Sequence, residues 1–268
     1  MNTVMIPGTD ICVSRFIFGT ASLFSAGDQA RRQLVLEAAV ENGFTHFDTA
    51  PYYGFGMAER DLSGILRKHP RLTVTTKVGL YAPGGEEQSS LSILLRKAGG
   101  RFVSALSKPD VDFEVRRAQL SLEGSLRRLV RDCIDVYMLH EPRFELLETD
   151  EWLKWLEITQ TSGRIRHYGL ALAGDRLLPF LRAKSPLTKL VQTFDSLKDQ
   201  EANILIEYGK PLQITFGYVS SARANGDMTA AHDLLLRALQ RNAHGAIIVS
   251  TRQPKRMNQY SQLFAPIK

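Results

Sequence analysis

The chain has 268 residues, 44% of them hydrophobic, which is enough for one large buried core. Its formal net charge of +6 is modest, and the basic residues are scattered rather than gathered with aromatic residues. We therefore expect a solvated surface with some positive potential for an anionic ligand, and no nucleic-acid partner. No apolar run approaches the ~20 residues that cross a bilayer, and the first twenty residues lack the pattern of a signal peptide, so we expect a cytoplasmic protein with no membrane partner.

The two cysteines, Cys12 and Cys133, are far apart and lack metal-ligand spacing. They are interpreted as buried or incidental thiols in a reducing compartment, and no metal site is predicted.

Strand and helix patterns alternate along the chain. Residues 1–10 predict a short hairpin that turns at Pro7-Gly8-Thr9-Asp10, and residues 11–18 predict a first strand that ends at Gly19-Thr20. The later predicted strands are 44–48, 72–76, 133–139, 164–171, 187–194, 212–216 and 246–249. The predicted helices are 29–42, 58–68, 113–129, 151–160, 176–181, 201–208, 231–238 and 253–264. Residues 80–112 form a long irregular stretch with an apolar patch at residues 91–95, and a loop of that length is usually functional.

Eight strand–helix units follow the hairpin. Short strands joined by crossover helices indicate a parallel sheet. Eight such units, with no region of different amino-acid composition that would mark a second domain, favour a closed barrel over an open sheet. The predicted fold is a single α/β domain over residues 1–268, a (β/α)8 TIM barrel with an N-terminal β-hairpin.

Polar residues end three neighbouring predicted strands. Asp48 ends the second strand, with Tyr53 in the loop that leaves it, and Lys77 and His140 end the third and fourth. In a barrel these strand ends face one pocket. Each residue also has a structural interpretation: Asp48 as a helix cap, Lys77 as a solvated loop residue, His140 as a core histidine. Their shared position favours a functional cluster.

The chemistry of the cluster suits carbonyl–alcohol interconversion. A free tyrosine has a pKa of about 10, and a nearby lysine ammonium is expected to lower the pKa of Tyr53. Asp48 would hold Lys77, and His140 would donate a hydrogen bond to a carbonyl oxygen. The set has no hydride source of its own, so a nicotinamide cofactor is implied.

Three motifs carry a resemblance to a known family. Residues 47–54 (FDTAPYYG), 76–79 (TKVG) and 135–140 (DVYMLH) resemble the signature of the aldo-keto reductases, and the resemblance extends to about Leu263. It implies a barrel that binds NADP(H) or NAD(H) in extended form, with Tyr53 as general acid/base. The long segment after the third strand is most similar to the galactose, fucose and pyridoxal dehydrogenase branch.

The resemblance also implies a set of cofactor contacts. These are Gly19, Thr20, Asp48, Gln192, Phe216, Gly217, Ser250, Thr251, Arg256 and Gln259. Arg256, with Thr251 beside it, is expected to contact the 2′-phosphate of the cofactor's adenosine, which favours NADP over NAD. Phe216 could equally be barrel packing, and residues 250–256 could simply be a capped, basic helix start.

Several positions depart from the family pattern. Ala171 and Leu172 stand where the family usually has a Ser-Asn pair that grips the nicotinamide amide, so we expect weaker cofactor binding than is usual. Tyr260 replaces an asparagine and could border the adenine. Residues 80–112 are the expected lid, with Tyr52, Phe24 and Tyr81 as pocket-lining residues.

Three function classes follow from these patterns. The leading one is an NADP(H)-dependent oxidoreductase, with NAD possible, that acts on a small carbonyl compound or sugar. A second is a non-catalytic nicotinamide-binding sensor or regulatory subunit on the same barrel. A third is a phosphate-binding barrel lyase or isomerase. The sequence makes no prediction of oligomeric state.

Overall fold

A closed barrel of eight parallel strands forms the centre of the protein, which a computed structural model describes over residues 1–88 and 108–264. In chain order the strands are β1 Thr3–Met5, β2 Cys12–Ser14, β3 Phe16–Gly19, β4 His46–Asp48, β5 Thr73–Val78, β6 Leu80–Tyr81, β7 Asp110–Val111, β8 Ile134–His140, β9 Ile165–Leu172, β10 Val191–Phe194, β11 Ile214–Phe216 and β12 Ala246–Val249. The barrel closes in the order β3-β4-β5-β8-β9-β10-β11-β12, so the predicted (β/α)8 barrel is confirmed.

Helices connect the barrel strands. The described α-helices are α1 Gln29–Glu41, α2 Met57–Lys68, α3 Val115–Leu129, α4 Thr149–Thr161, α5 Gly174–Arg182, α6 Asn203–Glu207, α7 Tyr218–Ala224, α8 Ala231–Arg241 and α9 Met257–Gln262. No described helix is both long and apolar enough to cross a membrane.

Local sequence features at the two ends of α1 determine how the chain enters β4. The Asp28 side chain accepts a hydrogen bond from the Arg31 backbone N–H at 2.9 Å and so caps the start of α1. Gly43, at φ +84°, follows the end of α1 in the left-handed region that favours glycine. The chain then turns into β4, which carries Asp48.

The core has two main parts. The larger part lies between the barrel wall and the helices and includes Phe47, Leu62 and Trp152. The smaller part packs interior residues such as Met138 against the N-terminal hairpin, which contributes Ile6, Ile11 and Val13. One end of the barrel interior is therefore packed with apolar side chains.

The predicted hairpin and first strand are wrong in their boundaries. Cys12–Ser14 pairs antiparallel with Thr3–Met5, so the hairpin extends beyond Asp10. The barrel strand begins only at Phe16, because the Arg15 N–H is still paired with the hairpin, donating to the Asn2 backbone oxygen at 2.9 Å. The buried Arg15 side chain donates to the backbone oxygens of Ala243 and Gly245, just after α8. Both cysteines are free, with Cys12 exposed and Cys133 partly exposed, which agrees with the interpretation as incidental thiols rather than buried ones.

Other elements differ from the predicted ones. The strand predicted over residues 187–194 begins only at Val191, because Pro186–Lys189 forms a 3-10 helix. The helix α7 was not predicted, and α9 is shorter than the predicted 253–264 because Pro254–Arg256 is a separate 3-10 turn.

A small antiparallel sheet lies in the segment predicted to be irregular. Leu80–Tyr81 pairs with Asp110–Val111. Beside it, Gly79 has φ +105°, and an added Cβ there would lie 2.1 Å from the Phe113 ring. Most of the proposed lid, including the apolar patch at residues 91–95, lies outside the described residues.

Candidate active site

An ion pair lies at the carboxyl end of the barrel. The Lys77 ammonium donates to both carboxylate oxygens of Asp48 at 2.7 Å and to the backbone oxygen of Thr49 at 2.9 Å. Lys77 is 1% exposed and Asp48 3%. Burial lowers the pKa of Lys77, but Asp48 and Tyr53 outweigh burial and raise the pKa, so the lysine stays charged.

Strand register brings the pair together. Asp48 is paired with Thr75 across β4 and β5, and Lys77 lies two residues further on, on the same face of β5. Thr20, the residue after β3, supports the arrangement, because its backbone N–H and its hydroxyl both donate to the Asp48 backbone oxygen, at 2.9 and 3.0 Å.

The loop after β4 returns Tyr53 to the ion pair. Gly54, Phe55 and Gly56 all have positive φ, and a Cβ on Gly56 would lie 2.4 Å from the Glu86 backbone oxygen. The resulting turn places the Lys77 Nζ 4.9 Å from the centre of the Tyr53 ring. The first three predicted catalytic residues are therefore adjacent in space.

His140 completes the cluster from β8. Its ring meets the Tyr53 ring edge to face, with centroids 5.8 Å apart and planes at 87°. Burial and the Lys77 ammonium hold the pKa of His140 well below its usual value, so the imidazole is neutral. Its Nδ1 atom is buried without a hydrogen-bond partner among the described residues.

The pKa of Tyr53 differs from the expectation. Burial raises the pKa of Tyr53 above its usual value, and the nearby Lys77 ammonium only partly offsets this rise. The predicted net lowering is therefore wrong, because the cost of burying a phenolate exceeds the attraction of one ammonium that is already bound to a carboxylate.

A cavity of about 890 Å³ opens above this cluster. It lies within the size range typical of small-molecule and cofactor sites. The predicted site residues that line it are Gly19, Asp48, Tyr53, Lys77, His140, Gln192, Phe216, Gly217, Ser250, Arg256 and Gln259. Two predicted residues do not line it. The Thr20 hydroxyl donates a hydrogen bond to the Asp48 backbone oxygen, and the Thr251 hydroxyl accepts one from the Gln253 N–H at 3.1 Å.

Ala171 lies directly between two polar residues of this cavity. It is the register partner of His140 on one side and of Gln192 on the other. Burial raises the pKa of Asp48, and a hydrogen bond with Gln192 is among the smaller influences that oppose this rise. The Gln192 Oε1 has no hydrogen-bond partner among the described residues. Ala171 lines the cavity beside this free acceptor, whereas Leu172 is fully buried and does not line it.

Aromatic residues contribute to the cavity wall. Tyr260 lines it while packing edge to face on Phe16 and Phe44, with centroids 5.7 and 5.9 Å apart. Tyr52, Phe24 and Tyr81 are outside the set of described lining residues, contrary to expectation. Tyr81 is instead 1% exposed and has the Arg117 guanidinium 4.7 Å from its ring centre.

Three lining residues with charged or imidazole side chains were not found from the sequence: Glu141, Arg223 and His232. Glu141 directly follows His140 at a strand end, so its position in the chain was a usable signal. Arg223 and His232 lie on α7 and α8, and only the packing of these helices brings them to the cavity. No group of three or more His, Cys, Asp or Glu residues within 1–88 and 108–264 could hold a metal ion.

The fold and the site together define an α/β barrel with a buried acid–base cluster beneath a cofactor-sized cavity. The chain belongs to the aldo/keto reductase family, whose model matches residues 15–216. The part of the cavity built by residues after 216 lies beyond that match.

Several characterised relatives match parts of the chain. Aldo-keto reductase YhdN of Bacillus subtilis is 26% identical over 242 residues, covering 85% of this chain and 65% of the relative. D-threo-aldose 1-dehydrogenase of a Pseudomonas species is 35% identical over 167 residues, covering 60% and 50%. NADH-specific methylglyoxal reductase of Escherichia coli is 32% identical over 197 residues, covering 68% and 56%. The chain spans about half to two thirds of the length of these relatives.

Solved structures share the fold. A glycerol dehydrogenase from Gluconobacter oxydans has a TM-score of 0.75 at 19% identity, covering 98% of this chain and 90% of that one. An aldo-keto reductase from Bacillus halodurans in its holo form also has a TM-score of 0.75 at 19% identity, covering 100% and 93%. The likeness extends through the region after residue 216 that the family model does not match.

Proposed function

We propose that the protein is an NAD(P)H-dependent oxidoreductase that interconverts a small aldehyde, ketone or sugar with the corresponding alcohol. The observation that carries this proposal is the position of the Tyr53 ring, 4.9 Å from the Lys77 Nζ and edge to face with His140, on the wall of the cavity. A protein that only binds a dinucleotide does not need this acid–base arrangement.

The cavity residues fit a nicotinamide dinucleotide. At one end, the unpaired Gln192 Oε1 is an acceptor for a carboxamide N–H. Elsewhere on the wall, Arg223 and Arg256 supply positive charge for phosphate groups, and Ser250 and Gln259 supply polar contacts. When bound, such a cofactor would supply the hydride that no side chain provides.

In the reducing direction, Tyr53 would donate the proton. Because burial raises its pKa, the phenol is protonated near neutral pH and can give its proton to the carbonyl oxygen. The Lys77 ammonium would then stabilise the phenolate that this transfer leaves, and Asp48 would keep the ammonium in place.

His140 would orient the substrate. Its pKa is held low, so the neutral imidazole can donate one N–H to the carbonyl oxygen without competing with Tyr53 as an acid. The carbonyl would thus be held by two neighbouring hydrogen-bond donors, which favours charge on its oxygen in the transition state.

We further propose NADP(H) as the preferred cofactor, with Arg256 contacting the 2′-phosphate. Arg256 lines the cavity and lies after β12, where the 3-10 turn Pro254–Arg256 leads into α9. Ala171 offers no hydrogen-bonding side chain beside Gln192, so we propose weaker cofactor binding than a serine at that position would give.

The function is tested by following the absorbance of NADPH with benzaldehyde as substrate. Turnover that depends on the aldehyde supports the proposal. Binding of NADPH without turnover of any aldehyde, ketone or sugar would instead favour a nicotinamide sensor, and failure to bind either nicotinamide cofactor would favour a phosphate-binding lyase or isomerase.

A further inference from the structure

An acidic residue, Glu141, lines the cavity beside the catalytic cluster. It follows His140 at the carboxyl end of β8 and lines the same cavity as Tyr53. Its charge reaches the reacting group, because it is among the groups that raise the pKa of Tyr53. The proposed mechanism does not use this carboxylate.

The backbone of Glu141 is held in an uncommon conformation. Its φ is +55°, in the left-handed region that non-glycine residues seldom adopt. The Glu141 N–H donates to the Ala171 backbone oxygen at 2.8 Å, and the Arg176 guanidinium donates to the Glu141 backbone oxygen at 3.2 Å. Such conformations persist where the surroundings enforce them, often at ligand sites.

The carboxylate is anchored on one side only. Its Oε2 accepts from Arg176 at 3.2 Å and from the Ala173 N–H, at the start of α5, at 3.4 Å. Arg176 and Ala173 both lie outside the set of described residues that line the cavity. The other oxygen, Oε1, accepts no hydrogen bond from the described residues and is available to a ligand.

Charge is distributed unevenly around the cavity. Asp48 and Glu141 are the acidic residues among its described lining residues, and Asp48 is already bound to Lys77. Arg223 and Arg256 follow β11 and β12, whereas Glu141 follows β8, which lies four places from β12 in either direction around the eight-stranded barrel. Arg223 and Arg256 therefore lie three and four strands away from Glu141, whereas Lys77 on the neighbouring β5 is already bound to Asp48.

We propose that Glu141 is a specificity-determining residue that selects neutral, hydroxyl-bearing carbonyl compounds over those that carry a carboxylate. Its free Oε1 accepts a hydrogen bond from a substrate hydroxyl group. The same oxygen repels a substrate carboxylate in a site where water screens the charges weakly. This inference rests on the proposed function, because it names the substrate class of that same site.

The test compares three substrates that share one ring: benzaldehyde, 3-hydroxybenzaldehyde and 3-carboxybenzaldehyde. The kcat/KM of each is divided by that of benzaldehyde for the same variant, and comparing these ratios between variants removes the intrinsic reactivity of each aldehyde. Glu141→Gln is expected to raise the 3-carboxybenzaldehyde ratio about tenfold, because the repelling charge is gone. Glu141→Asp keeps the charge and should leave that ratio near the wild-type value.

Two further variants complete the test, one that removes the whole Glu141 side chain and one that serves as a surface control. Glu141→Gly suits the left-handed backbone and removes the carboxylate altogether, and it should also lower the 3-hydroxybenzaldehyde ratio by about three- to tenfold. Glu145→Gln removes the same charge from an exposed position outside the set of described lining residues and should change neither ratio.

The outcomes separate the two proposals. If the wild type turns over benzaldehyde but Glu141→Gln and Glu141→Gly leave both ratios unchanged, the role of Glu141 is wrong and the proposed function stands. A 3-carboxybenzaldehyde ratio that falls rather than rises in Glu141→Gln also overturns the role. Absence of turnover with every aldehyde contradicts the proposed function itself, and with it the inference that rests on it.

Discussion

The Lys77 ammonium lies 4.9 Å from the centre of the Tyr53 ring, although the two residues come from different strand–helix units. Because Lys77 is buried and already bound to Asp48, its charge does not lower the pKa of Tyr53 below the ordinary value. Its proposed contribution is to stabilise the phenolate once the proton has left. Variants of Tyr53 and Lys77 therefore test two different roles, proton donation and stabilisation of the phenolate.

Replacing Tyr53 with phenylalanine should abolish turnover and leave cofactor binding nearly unchanged. The hydroxyl group is the proposed proton donor, and loss of general acid catalysis costs about 10²- to 10⁴-fold in kcat. Fluorescence titration should give an NADPH Kd within about threefold of the wild-type value, because the ring remains in place. Substantial turnover by Tyr53→Phe would rule out the proposed donor.

Replacing Lys77 with methionine should reduce both activity and stability. The change leaves the Asp48 carboxylate buried without its partner, which is expected to lower the free energy of unfolding by about 3–5 kcal/mol. The double variant Lys77→Met/Asp48→Asn removes both charges and should recover most of the stability in urea denaturation. It should remain inactive, so recovered activity would contradict the role of Lys77.

Replacing Arg256 with alanine should weaken NADPH binding far more than NADH binding. Loss of a charge-assisted contact to a 2′-phosphate is expected to raise the NADPH Kd by about 10- to 100-fold. Arg252→Ala is the matched control, because Arg252 is exposed and outside the set of described lining residues. Equal weakening of both cofactors by Arg256→Ala would remove the 2′-phosphate assignment.

Replacing Ala171 with serine should tighten cofactor binding. The new hydroxyl would lie between His140 and Gln192 and could bond the nicotinamide amide, which corresponds to about a two- to tenfold lower NADPH Kd. Leu172→Asn is a useful comparison, because Leu172 is fully buried and does not line the cavity, so its polar replacement should give no such gain. An unchanged Kd for Ala171→Ser would show that Ala171 does not limit binding.

The protein should lose stability as the pH falls from 7 to 5. His46 is fully buried between Thr73 and Thr75, and burial, reinforced by the Lys77 ammonium, lowers its pKa to about 3. Between that pKa and the unfolded value of about 6.5, the unfolded state binds a proton that the folded state does not, so stability rises with pH. The loss from His46 alone is about 2 kcal/mol between pH 7 and pH 5.

Urea denaturation of the wild type and His46→Gln at both pH values measures this contribution. The difference between the two pH values should shrink by about 2 kcal/mol in His46→Gln, whatever the substitution costs at pH 7. His140 adds a contribution of the same sign, because its pKa is also lowered. A pH difference that is the same in both proteins would show that His46 does not titrate as proposed.

The alternation of strand and helix patterns was sufficient to predict the barrel, because it reflects local periodicity and the burial of parallel strands. Asp48, Lys77 and His140 could be placed together for the same reason, since each ends a barrel strand. Thr20 and Thr251 also follow such strand ends but do not line the cavity, and their hydroxyl groups bond the Asp48 backbone oxygen and the Gln253 N–H instead.

By itself, the sequence determined the fold class, the order of the barrel strands and the identity of the four clustered polar residues. Only the tertiary structure decided the direction of the Tyr53 pKa, the recruitment of Arg223 and His232 to the cavity, and the one-sided anchoring of Glu141. The physical reason is that periodicity and strand ends are properties of neighbouring residues. Desolvation and the direction of a hydrogen bond depend on groups that only folding brings together.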